Sequence, residues 1–175
     1  MICKPFDNLS LSCLGLGNMR IPTCPQKEGN PIDREAAGKI LDYAMEHGVN
    51  YYDTAYVYNN GDSEKFLGET ITKYPRESYY LATKFNIMAN PDYKAVFEEQ
   101  LKRLNTDYID FYLIHAVIDN NYGKYIDSGC IDYFNDLKKQ GKIHYLGFSN
   151  HSSPETLKTF IKQNSWDFVQ IQLNY

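Results

Sequence analysis

No apolar run in this chain of 175 residues approaches the roughly 20 residues that a helix needs to cross a bilayer. The opening stretch, MICKPFDNLS, lacks both the basic start and the long apolar segment of a secretory signal. Both absences argue against a membrane and predict a cytoplasmic protein. Cysteine is sparse, with Cys3, Cys13, Cys24 and Cys130 and no CxxC pair. That predicts reduced thiols and no metal site built on them. Basic residues form no run and the net charge is −4, so the electrostatic footprint of a nucleic-acid binder is missing. A dinucleotide fingerprint is missing too. GLGNMR (15–20) only partly matches GxGxxG, and Pro22 and Pro25 carry a loop onward where that motif requires a helix.

Apolar side chains make up 43 % of the chain and aromatic ones 15 %, ample for one domain that buries about 70 % of its unfolded surface. Apolar or β-branched runs alternate with helical patterns throughout. The expected strands are 13–19, 49–54, 79–85, 108–115, 143–149 and 167–174. Their starts lie roughly 30 residues apart, room for a strand, a crossover helix and two loops. Five helices are expected between them. The first follows Asp33 as cap, carries Ala37, Ile40, Leu41, Ala44 and Met45 on one stripe, and ends before Gly48. The second runs from about Ser63 to Lys73, capped by Ser63 or Asp62 after a turn at Gly61. The third follows NPD (90–92), the fourth covers 130–140, and the fifth opens on Ser153-Pro154.

Alternating β and α predict a parallel sheet covered by helices. Without the glycine fingerprint, a closed barrel is favoured over an open doubly wound sheet. The fold expected is therefore a (β/α)8 TIM-type barrel, with KPFDNLSLSC (4–13) as a hairpin plugging its bottom. Eight strands usually take more than about 200 residues. The chain supplies six strands and five helices, so 1–175 is expected to be a single, C-terminally incomplete barrel domain.

In such barrels reactive groups collect at the C-terminal ends of strands. Asp53 ends the second expected strand, Lys84 the third, His115 the fourth and Ser149-Asn150 the fifth, and Tyr58 follows Asp53 by five residues. Taken singly, each has a plain structural reading: a cap for Asp53, an exposed lysine for Lys84, a core histidine for His115. Their recurrence at equivalent positions favours a shared site. A phenol is a slow proton donor at neutral pH. An ammonium beside it favours the phenolate, and a carboxylate fixes that ammonium. A histidine nearby can orient a carbonyl oxygen. The set suits protonation of an alkoxide as hydride arrives.

The segments NYYDTAYVYNNGDSE, LATK, DFYLIH, GKIHYLGFSN and VQIQLNY, taken in order, resemble the aldo-keto reductase superfamily, and the likeness covers essentially the whole chain. The resemblance implies interconversion of small carbonyls and alcohols with NADPH, or alternatively NADH, on a (β/α)8 barrel. It implies a catalytic tetrad of Asp53, Tyr58, Lys84 and His115. Tyr58 is then the general acid, Lys84 the neighbouring ammonium, Asp53 the partner of Lys84, and His115 the orienter of the carbonyl. Nicotinamide contacts fall on Ser149, Asn150 and Gln170. Gln172 is the substitute for Gln170 if the register slips by two. Met19 is placed with these at the mouth, where Met19 and Tyr56 also line the substrate pocket, and Trp166 packs beside the sixth strand. No metal ligand set is expected.

Two departures stand out. Loops after a seventh and eighth strand, which grip the adenosine phosphates in the family, are not in this chain. His144 stands where many members have arginine. The segments LGLGNMRIP and GFSNH also resemble a bacterial branch with a C-terminal iron–sulfur segment, which is likewise absent here. The competing reading is a barrel fragment that keeps the tetrad yet binds cofactor weakly or serves as a binding subunit. Exposed sheet edges would then favour self-association.

Overall fold

The computed structural model describes residues 1–173. Two antiparallel strands, β1 (Cys3–Phe6) and β2 (Leu9–Ser12), come first and turn at Asp7, whose φ is 50°. Six parallel strands follow: β3 (Leu16–Gly17), β4 (Tyr51–Asp53), β5 (Tyr80–Phe85), β6 (Ile109–Val117), β7 (Ile143–Asn150) and β8 (Phe168–Ile171). They pair strictly in chain order, as right-handed crossovers between neighbours require. The sheet curls into six of the eight strands of a (β/α)8 barrel, with the helices α1 (Arg34–Glu46), α2 (Asp62–Ile71), α3 (Tyr93–Leu104), α4 (Tyr122–Asp127), α5 (Cys130–Lys139) and α6 (Pro154–Ile161) interleaved.

The helix starts follow their local chemistry. Asp33 accepts from Ala36 N at 3.0 Å, Asp92 from Ala95 N at 3.0 Å and Ser153 from Thr156 N at 3.3 Å. Each satisfies a donor that the first turn leaves unpaired. The start of α2 differs from expectation, because neither Asp62 nor Ser63 caps it. Gly61, at φ 84°, occupies the cap position without a side-chain bond. Asp62 is instead drawn into a two-pronged pair with Arg34 of α1, at 2.9 and 3.1 Å. Ser63 is buried, sharing a hydroxyl bond with Thr54 at 2.8 Å and donating to Asn18 O at 3.2 Å. Tertiary partners outbid the local cap at both residues.

Strand alternation divides the side chains cleanly. Tyr52, Leu81, Phe85, Tyr112, Ile114, Leu146 and Phe148 point outward into a core shared with the helices. Tyr51, Tyr80, Ala82, Phe111, Leu113, Tyr145 and Phe168 point inward, where they meet Phe6, Leu9 and Leu11 of the hairpin. The Phe6 ring lies 5.4 Å from Phe111 and 5.1 Å from Tyr145, edge to face. The hairpin thus closes the N-terminal end of the half-barrel and leaves the opposite end free.

Strands β3 and β4 are shorter than the pattern suggests, while β6 and β7 run further, to Val117 and Asn150. The short helix α4 has no counterpart in the sequence pattern, and Trp166, expected beside the sixth strand, packs on Phe148 of β7 and Phe160 of α6. The last strand ends at Ile171, and Asn174 of its expected range lies outside the described residues. No helix is long and apolar enough to cross a membrane among the described residues.

Candidate active site

At the free end, β4 stops at Asp53 and the chain turns sharply through Tyr58–Gly61 before entering α2. Asn59 and Asn60 adopt φ values of 49° and 55° there. Asparagine tolerates that left-handed region better than most residues. The reversal carries Tyr58 back over the ends of β5 and β6.

Lys84 is the centre of the arrangement and is only 2 % exposed. Its Nζ lies 2.5 Å from Asp53 Oδ1, 2.7 Å from Thr54 O and 3.4 Å from Tyr58 Oη. An ammonium has three donors, and three acceptors meet it. Nζ also stands 4.9 Å from the centre of the Tyr58 ring. The His115 ring lies edge-on to Tyr58 at 5.6 Å. Burial, with Lys84 and His151 adding repulsion, pushes His115 down to about 3, so at neutral pH it is an uncharged imidazole. Burial also raises the Asp53 carboxyl above its ordinary range, opposed by the Lys84 ammonium and more weakly by Gln170. The Gln170 amide lies near that carboxylate but outside hydrogen-bonding geometry.

The four residues Asp53, Tyr58, Lys84 and His115 are therefore brought together. Ser149 and Gln170 face each other in register across β7 and β8, and Gln170 lines an open cavity of about 530 Å³ together with Asp53, Tyr51, Phe6, Phe111 and Phe168. Tyr58, Lys84 and His115 are not on that lining, so the cavity is the interior of the half-barrel rather than a substrate mouth. Ser149 is buried and its Oγ accepts from Ala116 N at 2.7 Å. The Asn150 carboxamide, also buried, accepts from Ser152 Oγ at 2.7 Å. Met19 is exposed in a 3-10 turn behind β3. Gln172 lies past the end of β8, where strand alternation no longer sets its side.

Tyr56 departs from expectation. Its hydroxyl donates to Glu99 at 2.9 Å and its ring carries the Arg103 guanidinium at 4.5 Å. It therefore belongs to the helix layer and not to the substrate pocket.

The sequence reading missed Asn18 and Glu64. Asn18 is buried and its Nδ2 donates to Asp53 O at 2.9 Å, fixing the end of β4 from the neighbouring turn. Glu64 is buried behind β5, where it accepts from Thr83 at 2.6 Å, Gln100 at 2.7 Å and Arg103 at 3.1 Å. Gln100 in turn donates to Lys84 O at 3.2 Å. An acidic residue on the inner face of α2 was the available signal.

Among the described residues, Asp53 Oδ2, His115 Nδ1 and Asn18 Oδ1 are buried without a hydrogen-bond partner. Buried polar atoms are rarely left so. Asp53 Oδ2 and Asn18 Oδ1 would each take a donor, and the His115 nitrogen, when it carries the proton, an acceptor such as a carbonyl oxygen. No group of His, Cys, Asp and Glu able to hold a metal occurs among the described residues.

The family model described as Aldo/keto reductase family matches residues 13–175. An oxidoreductase of Bacillus subtilis, YqkF, is 31 % identical over 96 % of this chain and 54 % of its own length. An NADH-specific methylglyoxal reductase of Escherichia coli is 28 % identical over 93 % of this chain and 55 % of its own. Among solved structures, an aldo-keto reductase of Bacillus halodurans in holo form superposes with a TM-score of 0.81 at 31 % identity, covering 99 % of this chain and 58 % of that one. The chain spans about half the length of the relatives it matches.

Proposed function

The chain belongs to the aldo/keto reductase family, and on that premise we propose that it reduces small aldehydes or ketones to alcohols with a nicotinamide dinucleotide. The cofactor, NADPH or NADH, supplies the hydride. The residues of the chain supply the proton and the orientation. Tyr58 is the general acid and delivers its phenolic proton to the carbonyl oxygen as that oxygen gains negative charge. Lys84 stabilises the phenolate left behind, because its ammonium sits 3.4 Å from Tyr58 Oη with almost no water to screen it. Asp53 holds Lys84 in place and balances its charge. His115, uncharged at neutral pH, donates one ring N–H to the carbonyl oxygen and orients it without competing as a proton source.

Ser149, Asn150 and Gln170 hold the nicotinamide carboxamide, and Met19 lies at the mouth beside it. Ser149 already accepts from Ala116 N, so toward the carboxamide it acts as a donor. The observation that carries this reading is the buried Lys84 ammonium bridging the Asp53 carboxylate and the Tyr58 hydroxyl.

The test is to titrate NADPH and NADH against the purified chain by nicotinamide fluorescence while following reduction of a simple aldehyde. Tyr58→Phe is expected to leave cofactor binding intact and to lower turnover by about 10²- to 10⁴-fold, the usual contribution of a positioned acid. Equal turnover in wild type and Tyr58→Phe would overturn the assignment.

A further inference from the structure

Strand β6 does not run regularly past His115. Its pairing with β7 matches Ile114 to Phe148 and then Val117 to Asn150, so two residues on β6 oppose the single Ser149 on β7. That is a β-bulge, a device that re-aims side chains next to active sites. Ala116, the second of the two, has a φ of 51°. A residue with a Cβ is strained there, and such strain persists only where the surroundings enforce it.

Three side chains do the enforcing. Ser149 Oγ accepts from Ala116 N at 2.7 Å, Asn121 Nδ2 donates to Ala116 O at 2.9 Å, and Tyr125 Oη donates to His115 O at 2.6 Å. Asn121 is itself pinned, since its Oδ1 accepts from Ile118 N at 2.9 Å. Tyr125 is fully buried and its Oη also accepts from Ile87 N at 3.4 Å. One phenol thereby links the exit of the Lys84 strand to the exit of the His115 strand. The bulge has left the regular ladder, and its peptide groups are satisfied by side chains instead. This also accounts for α4, which presents Tyr125 directly beneath the bulge.

We infer that Asn121, Tyr125 and Ser149 are positioning residues, which hold a strained bulge at Ala116 and so aim the His115 imidazole beside the Tyr58 ring. The inference rests on the reading of His115 as the group that orients the carbonyl. Tyr125 and Asn121 touch no reacting atom and act through backbone alone, Asn121 at Ala116 and Ile118 and Tyr125 at His115 and Ile87. Without the clamp, Ala116 relaxes toward an ordinary extended φ and the imidazole moves. Glycine at 116 would occupy the same φ freely and would need no clamp.

The test labels the histidines with ¹³C and ¹⁵N, identifies the His115 ring signals with His115→Gln, and compares Tyr125→Phe, Asn121→Ala, and each combined with Ala116→Gly. The two single variants are expected to shift the His115 ring signals. Where the chain turns over an aldehyde, they should lower kcat about tenfold with KM for the cofactor unchanged. Adding Ala116→Gly should return both the signals and kcat toward wild type, which loss of general stability could not do. His115 signals unmoved in Tyr125→Phe and Asn121→Ala, or moved but not restored by Ala116→Gly, would overturn the inference. Should Tyr125→Phe fail to fold, Asn121→Ala carries the same comparison from the less buried end of the clamp. The signals are read without substrate, so a chain that reduces nothing would refute the reductase reading and still decide the clamp.

Discussion

The middle and the edges of the sheet are built differently. Along β5, β6 and β7 both faces are covered, and Lys84, His115 and Ser149 are 2 %, 8 % and 5 % exposed. Along β8 the outward row is open, with Val169 and Ile171 at 41 % and 51 %, and β3 is only two residues long. The proposed proton-handling groups all come from the covered side, from β4 to β6 and the turn after β4. Gln170, Gln172 and Met19, expected to meet the cofactor, are exposed and belong to the edges. Chemistry and cofactor grip therefore rest on parts of the sheet with unequal support. The groups proposed to handle the proton, Asp53, Lys84 and His115 at strand ends and Tyr58 in the turn after β4, lie together on the covered side. Of the proposed nicotinamide contacts, Ser149 and Asn150 lie on the covered β7, whereas Gln170 lies on β8, which among the described residues pairs only with β7.

The strongest break of this contrast is Lys84→Met. It removes the charge at the centre of the covered region and leaves Asp53 buried opposite an apolar side chain. Stranding one partner of a buried pair costs about 3–5 kcal/mol, readable as a shift in the urea unfolding midpoint. Any turnover should fall at least as far as in Tyr58→Phe, because the phenolate loses its only adjacent cation among the described residues. A loss under about 1 kcal/mol would show that Asp53 is well solvated and that the middle is not as dry as its burial implies.

Gly147→Ala attacks the seam between the two regions. A methyl group at Gly147 would stand 2.6 Å from both the Phe168 ring and Phe168 O, where β8 meets β7. Backbone cannot yield cheaply there, and overpacking of this kind costs about 1–3 kcal/mol. The displaced element is β8, which carries Gln170. Cofactor affinity should drop several-fold while the His115 ring signals stay in place. Equal disturbance of both would mean that the edge and the middle move as one unit.

The division between legible and illegible features follows the same physics. Helices α1, α3 and α6 could be read because Asp33, Asp92 and Ser153 bond to backbone three residues away, and such chemistry is local. Of the four proposed residues, Asp53, Lys84 and His115 were legible because they end successive expected strands, and Tyr58 because it follows Asp53 by five residues. The α2 cap was misread because Arg34, a residue of α1, recruits Asp62. Tyr56 was misread because its direction depends on Glu99 and Arg103 of α3. The bulge at Ala116 left no mark in the apolar run DFYLIHAV, since alanine gives no hint of a positive φ. Asn18 is visible as a polar residue inside the expected strand 13–19, but its bond to Asp53 O exists only once β3 and β4 pair.

Histidine titration sharpens the contrast with the smallest perturbation. His47, His144 and His151 are exposed, whereas His115 is buried and pushed from an ordinary 6.5 to about 3. Below about pH 6.5 the unfolded chain takes up a proton at this position and the folded chain does not. The contribution of His115 to stability is thus present above that pH and is lost as pH falls toward the folded value, by about 1.4 kcal/mol per pH unit at most. Burial raises the carboxyls of Asp53 and Glu64, which gives a slope of the opposite sign. A direct comparison of wild type with His115→Gln cancels those carboxyl contributions. Urea unfolding of both proteins at about pH 7.5 and about pH 5.5 should show wild type losing about 1 kcal/mol more than the variant. Parallel losses would mean that His115 takes up its proton in the folded state, and that the middle of the sheet admits water as readily as its edges.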